Sequence, residues 1–430
     1  DASNRFGQDA NNQFDPTYSF GISWRIAEEE FIKNYLPWLN QLNLRATYGI
    51  QGNVVNSVSP DLIAQYRGII GGYDEYYLTI SSLPNPLLKW ERTKTWNLGL
   101  DMQLFNGITM SFEYYGRRSN AIINQDIAQE YGMATMKLNG GRIHNHGIEY
   151  SINLTPYKRK DFAWTIGINA SKNWNKAQND DVRIKADKLT KDNFLTGSSD
   201  RLLKKGYPLS AFWSYSFAGL DPQTGYPTFN RIGFDEIDPD IDPTTFLVYS
   251  GQKAPYFTGG VNTRVRYKSL SLGVDFSVLL GAKKRLPNPY ANFNYGKLPA
   301  PYHNLSKDLL KRWQKPGDEK HTIYPALYTS VEDVYNIQLP DGTQSNSIYS
   351  MWANSDAMVV NASFLRCNQI SVSWNMPPRI CSKFGATNCS ISANLNNPFV
   401  IGSNRFNGFD PELGDSVMPK IFSCGLSVGF

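Results

Sequence analysis

The feature that most constrains this chain is an apolar alternation with period two. It recurs from one end of the chain to the other, in runs long enough to cross a bilayer. Tyr18, Phe20, Ile22, Trp24 and Ile26 alternate with Ser19, Gly21, Ser23 and Arg25. The same pattern returns from Leu42 to Ile50, from Trp96 to Leu104, from Ile108 to Tyr114, from Ile148 to Leu154 and from Phe162 to Ala170. It returns again over 209–217, 261–267, 270–280, 359–375, 389–395 and 422–430. Successive side chains of a strand point to opposite faces, so each run has one apolar face and one small, polar face. No comparable stretch carries a helical period, and no run of about 18 apolar residues is present for a membrane helix. Most runs reach about nine residues or more. A tilted membrane strand needs about 9–11, and strands of soluble proteins are usually about 5–6.

Charge falls on the small-polar face, at Arg25, Arg45, Asp101, Glu113, Glu149, Arg264, Arg266 and Asp275. A soluble sandwich shows the same alternation, so the pattern alone leaves both architectures open. Connection lengths favour a barrel. Short turns at 105–107, 156–161 and 267–269 alternate with long connections near 51–92, 117–142, 175–208, 281–358 and 397–420. Transmembrane barrels have short periplasmic turns and longer outer loops. Counting back from an inward-running last strand that ends at Phe430 closes only if a strand is added to the twelve legible ones. The expectation is therefore about thirteen antiparallel strands over 1–430, with the C-terminus at the periplasmic side.

Composition excludes other classes. A net charge of +5 over 430 residues is too dilute to imply nucleic acid. Phosphate-loop, nucleophile-elbow and zinc-protease spacings are missing from the sequence, so no catalytic residue, metal site or cofactor is expected. His144-Asn145-His146 places two imidazoles on one strand face and reads as polar wall rather than a metal site. Cys367, Cys381, Cys389 and Cys424 lack C-x-x-C spacing; Cys389 and Cys424 are read as small hydrophobes, and no disulfide is expected. Asp221-Pro222-Gln223-Thr224-Gly225 reads as a turn rather than a calcium loop. In the first long connection Tyr66, Tyr73, Tyr76 and Tyr77 gather around Asp74 and Glu75. Tyr73, Asp74, Tyr76 and Tyr77 are the candidate substrate-binding residues, because aromatic planes beside carboxylates suit sugars or peptides. Loop packing and an aromatic girdle would use the same residues.

Several segments, in order, resemble the C-terminal barrel part of SusC-like TonB-dependent transporters of Bacteroidetes outer membranes. They include Ser23-Trp24-Arg25-Ile26, Leu42-Asn43-Leu44-Arg45-Ala46-Thr47-Tyr48-Gly49, Asn85-Pro86-Leu87-Leu88-Lys89-Trp90-Glu91 and Asn139-Gly140-Gly141-Arg142-Ile143. Asp221 to Pro227, Arg312-Trp313-Gln314-Lys315-Pro316-Gly317-Asp318 and Ala362-Ser363-Phe364-Leu365-Arg366 follow. The resemblance implies about thirteen strands of a 22-stranded barrel, without the plug domain. It implies that Phe422, Leu426, Val428 and Phe430 belong to the barrel-closing strand. The remaining strands are expected upstream or in another chain, since open sheet edges cannot sit in lipid. The implied activity is energy-coupled import of a large nutrient, an oligosaccharide first and a peptide second. The implied partners are outer-membrane lipid, a SusD-like surface lipoprotein, and TonB acting through the plug. The alternatives are a passive porin-like barrel and a secreted β-rich adhesin or glycan-binding protein.

Overall fold

The computed structural model describes residues 14–69, 75–133, 135–178, 191–197, 204–232, 237–239, 241–291, 304–330, 335–345 and 347–430. Its largest sheet has eleven antiparallel strands that neighbour one another in chain order. They are β1 (Tyr18–Arg25), β2 (Leu39–Asn53), β3 (Glu91–Leu104), β4 (Ile108–Asp126), β5 (Thr135–Lys158), β6 (Phe162–Ala177), β7 (Phe257–Tyr267), β8 (Leu270–Leu280), β9 (Phe364–Asn375), β10 (Asn388–Ile401) and β11 (Ile421–Gly429). The chain forms two compact units, one of 1–185, 203–209 and 259–271, the other of 186–202, 210–258 and 272–430. Among the described residues no helix is long and apolar enough to cross a membrane.

In the first unit, register fixes which side chains share a row. Trp24, Leu44, Leu100, Phe112, Tyr150 and Ala170 lie side by side across β1–β6. Toward one end of the strands a parallel row holds Phe20, Tyr48, Trp96, His146 and Trp174, with Gly116 between Trp96 and His146. At the opposite end stand Trp38, Phe105, Tyr157, Phe162, Trp164 and Tyr267; Trp38 stacks on Phe105 at 5.7 Å. On β6, Trp164 and Trp174 lie ten residues apart. That separation is about 33 Å along a strand, or about 25 Å of height at a tilt near 40°. An apolar band flanked by two aromatic rows at this height has the dimensions of a barrel's lipid-facing belt.

The apolar faces point outward. Phe20 is 69% exposed, Ile22 62% and Leu98 49%. In the second unit Phe422 and Leu426 are 69% and 68% exposed, in rows Ile370–Leu395–Phe422 and Trp374–Ile391–Leu426. A sandwich would bury these side chains. Their exposure settles what alternation leaves open.

Among the described residues the sheet holds eleven strands, and the expectation of about thirteen had counted the run at 209–217 and one strand added to balance it. The run at 209–217 leaves the wall. Ala211–Tyr215 forms a strand whose five residues are all buried and pair with Leu247–Gln252 in a separate two-stranded sheet, and Phe217 already belongs to another short strand, Phe217–Leu220. Phe212 puts a large ring on the face opposite Ala211, Trp213 and Tyr215, so both faces are apolar and both must be covered. Once this strand is removed, each connection of one set is shorter than its neighbours in the other, without an added strand among the described residues. The short ones are 26–38, 105–107, 159–161, 268–269 and 376–387; the long ones are 54–90, 127–134, 178–256, 281–363 and 402–420. The connection expected at 117–142 shrinks to eight residues, because β4 and β5 stay paired from Ile108–Leu154 out to Asp126–Thr135. Their 19 and 24 residues far exceed the 9–11 needed to span, so the hairpin runs well beyond the belt.

Candidate functional site

The inner face of the first unit is polar and interlocked. Register sets Arg45 beside Gly99 and Glu113, and Asn43 beside Asp101 and Ser111. Gly99 leaves the room: a Cβ there would meet the Arg45 guanidinium at 3.0 Å. Arg45 donates to Asp101 through Nε at 2.7 Å and through Nη2 at 3.1 Å, and to Glu113 Oε1 at 2.9 Å. Asn97 donates to the other Glu113 oxygen and the Ser111 hydroxyl to Asp101, both at 2.9 Å. One cation holds two carboxylates, which leaves this hydrated cluster with a net negative charge on a wall that carries both signs. That wall can pass polar cargo and offers no nucleophile–base pair.

Between β2 and β3 rises a hairpin of Ile63–Ile69 and Tyr76–Ser82. Tyr66 and Tyr76 pack at 5.5 Å, and Tyr77 follows on the same strand. Tyr73 and Asp74 lie outside the described residues. The hairpin exposes Leu62, Tyr66, Ile69, Tyr76 and Leu78, each more than half accessible. An isolated two-stranded hairpin is marginal in water, and an exposed apolar patch of this kind marks a contact surface.

In the second unit the long connections form a packed body. Its centre is Tyr290, Ile348, Tyr349, Trp352, Met358 and Phe406. The Trp352 indole donates to Ile323 O at 2.8 Å, and the Tyr349 hydroxyl to Ala326 O at 2.7 Å. Arg285 stitches three segments together. It donates to Leu195 O and Trp213 O, each at 2.9 Å, to Ser214 Oγ at 3.0 Å and to Asn354 Oδ1 at 3.1 Å. Burial lowers its pKa to about 10, which leaves it charged at neutral pH. Asp221 is a turn residue, as its sequence suggests: its carboxylate accepts from Thr224 N, Thr224 Oγ1 and Gln223 N. These bonds, the Thr224 amide first, hold its carboxyl below the usual range.

The same unit contains a cavity of about 490 Å³, lined by Asp308, Tyr324, Arg405, Phe406, Asn407 and Phe409 among others. Its size lies within the range of small-molecule sites. Asp308 accepts from Lys311 at 2.7 Å and from Asn407 at 2.8 Å, and raises the lysine's pKa. Sequence reasoning passed over this cluster. The run Arg405-Phe406-Asn407-Gly408-Phe409-Asp410 was its visible signal, but Asp308 lies some hundred residues away.

His144 and His146 stand on the outer face. His146 stacks on Trp174 at 5.1 Å and lies 5.4 Å from His144. Among the described residues no group of three or more His, Cys, Asp or Glu could hold a metal. All four cysteines are free; Cys381 and Cys389 share a small buried cluster, and Cys424 is exposed on the apolar face of β11 rather than packed.

Outward apolar belts, a polar inner face and an up-and-down antiparallel meander define an outer-membrane-type β-barrel wall. Residues 1–276 match the family described as TonB dependent receptor-like, beta-barrel, and the chain belongs to that family. It is a family of transporters and receptors of the outer membrane, not of enzymes. The chain is 28% identical over 458 aligned positions to the TonB-dependent receptor SusC of Bacteroides thetaiotaomicron, covering 100% of this chain and 41% of that one. It is 25% identical to TonB-dependent receptor P3 of Formosa agariphila, covering 96% of this chain and 39% of that one. The chain thus spans about two fifths of the length of the curated relatives it matches. Among solved structures, the RagAB peptide importer in its open-open state superposes with a TM-score of 0.75 at 24% identity. That match covers 99% of this chain and 44% of that one, and it bears on the fold alone.

Proposed function

We propose that this chain is the C-terminal part of the wall of a SusC-like importer. The short turns lie in the periplasm and the long connections outside. The observation that carries this reading is the outward apolar belt on a sheet whose inner face is a hydrated, charged wall. Belonging to a TonB-dependent family favours coupled import over a passive pore, and the exposed belt argues against a secreted adhesin. The cargo is a large polar nutrient, an oligosaccharide first and a peptide second. TonB acts through a plug supplied outside these residues, and a SusD-like surface lipoprotein meets the outer connections. Tyr76 and Tyr77, with Tyr73 and Asp74, contact cargo or the cap from the exposed hairpin.

Uptake of labelled oligosaccharides and peptides by cells carrying the full-length protein tests this. Uptake should stop when the proton gradient is collapsed. Uptake that persists without the gradient would establish the passive-pore alternative. Replacing Tyr73, Asp74, Tyr76 and Tyr77 together with Ala should weaken cargo binding by the intact complex; unchanged binding removes these residues from the site.

A further inference from the structure

Two neighbouring short turns of the first unit carry cations that the fold leaves unused. The 159–161 turn holds Arg159 and Lys160, and the 268–269 turn holds Lys268. The Lys268 amide donates to Asp161 O at 2.6 Å, so the turns are joined. All three side chains are exposed, and none forms an ion pair among the described residues. Asp161 is the one carboxylate in either turn. Each turn rises directly from the aromatic row at this end of the belt. Arg159 lies over the Tyr157 ring at 5.2 Å and Lys268 over the Tyr267 ring at 5.5 Å. The rings face outward, 42% and 55% exposed. The stacking holds the cations just past the apolar boundary, where a bilayer places its phosphates. Lys268 keeps this position in a left-handed backbone, φ 52°.

Resting on the barrel reading above, we propose that Arg159, Lys160 and Lys268 form a docking surface for the anionic headgroups of phospholipids in the leaflet on the short-turn side. The aromatic row seats the acyl boundary, and the three cations meet phosphates that carry no compensating amine. Charge complementarity and continuity with the belt select this occupant.

The test uses the full-length protein with its native partners, delipidated in detergent and titrated with phosphatidylglycerol, phosphatidylcholine or lipid A, with retention read by native mass spectrometry. A cation near an anionic membrane surface strengthens attachment by about fivefold. The R159S/K160S/K268S variant should therefore lose phosphatidylglycerol binding by at least about tenfold and lose its preference over phosphatidylcholine. A K307S/K315S/K320S variant, altered in the long connections, should bind as the parent does. Equal losses in the two variants, binding within twofold of the parent in the first, or preference of the parent for lipid A would each overturn the proposal. Insertion of the same preparations into vesicles, read as a heat-modifiable band, is scored separately. Failure of the parent to insert would remove the barrel reading and this inference with it. Insertion with unchanged lipid retention would remove this inference alone.

Discussion

Replacing Asp410 should free the last long connection from the wall. Asp410 lies in the 402–420 segment and reaches Arg366 near the start of β9. Arg366 Nη2 donates to its two oxygens at 2.6 and 2.8 Å, and the two side chains are only 7% and 4% exposed. Asp410 Oδ1 also accepts from Glu412 N at 2.8 Å. Its backbone accepts from Gly414 N and donates to Ser416 O, which closes the turn. Asp410→Ala removes the paired carboxylate and leaves a buried guanidinium. Such a loss costs about 3–5 kcal/mol. Glu412 still contacts Arg366 Nη1 at 2.8 Å and is half exposed, which puts the expected cost at the lower end, about 3 kcal/mol. At 1.36 kcal/mol per decade, amides of this segment should exchange about a hundredfold faster in hydrogen-exchange mass spectrometry of the full-length protein. Asp410→Asn keeps the shape and one acceptor and should lie between. The double replacement Arg366→Met, Asp410→Leu removes both charges and should recover most of the protection, because a buried pair contributes little net stability over an apolar pair of similar volume. Unchanged exchange in Asp410→Ala, or a double variant as labile as the single one, would refute the reasoning.

Three further outcomes are expected. Phe112→Arg puts a charge in the middle row of the belt and should destabilise the inserted barrel by about 2–4 kcal/mol, whereas Tyr267→Arg at the boundary should cost at most about 1, measured by denaturant unfolding in vesicles. Gly225 has φ 69° and a Cβ there would run into the Trp313 ring, while Gly385 has the same φ with open space around it; Gly225→Ala should therefore reduce exchange protection of the 217–229 hairpin, while Gly385→Ala shows in its own turn only the smaller backbone cost. The folded Asp221 carboxyl titrates below its ordinary value of 3.8, so its contribution is complete above about pH 4 and is lost as the pH falls through the lowered value. The Thr224 and Gln223 amides, corrected for intrinsic rates, should lose protection there in the parent, and Asp221→Asn should show no such pH dependence.

Much of the wall was legible in the sequence because membrane strands are long and their period is strict. The alternation located all eleven sheet strands, but it cut β4, β5, β6 and β10 short by six residues or more at one end. It also placed Arg45, Asp101 and Glu113 on one face. The row through Trp96, His146 and Trp174 needed register, which turn lengths at 105–107 and 159–161 largely set. The strand at 211–215 passes for a wall strand by its alternation, but Phe212 makes its second face apolar too, so it is buried on both faces. The proposed contact residues and the cavity were less legible. Tyr76 and Tyr77 announced themselves by local clustering, but the cavity joins Asp308 to Asn407, and its chemistry exists only once distant connections meet.

By itself the sequence determined that this chain makes long antiparallel strands with one apolar face and one polar face, because side-chain direction alternates with every residue. It could not say which face is inside, since a sandwich and a membrane wall share that pattern. Only the tertiary structure decided it, by leaving Phe20, Ile22 and Phe422 uncovered. It alone paired Arg366 with Asp410 and gathered around Arg285 the carbonyls of Leu195 and Trp213, since contacts between segments tens of residues apart have no local periodicity to betray them.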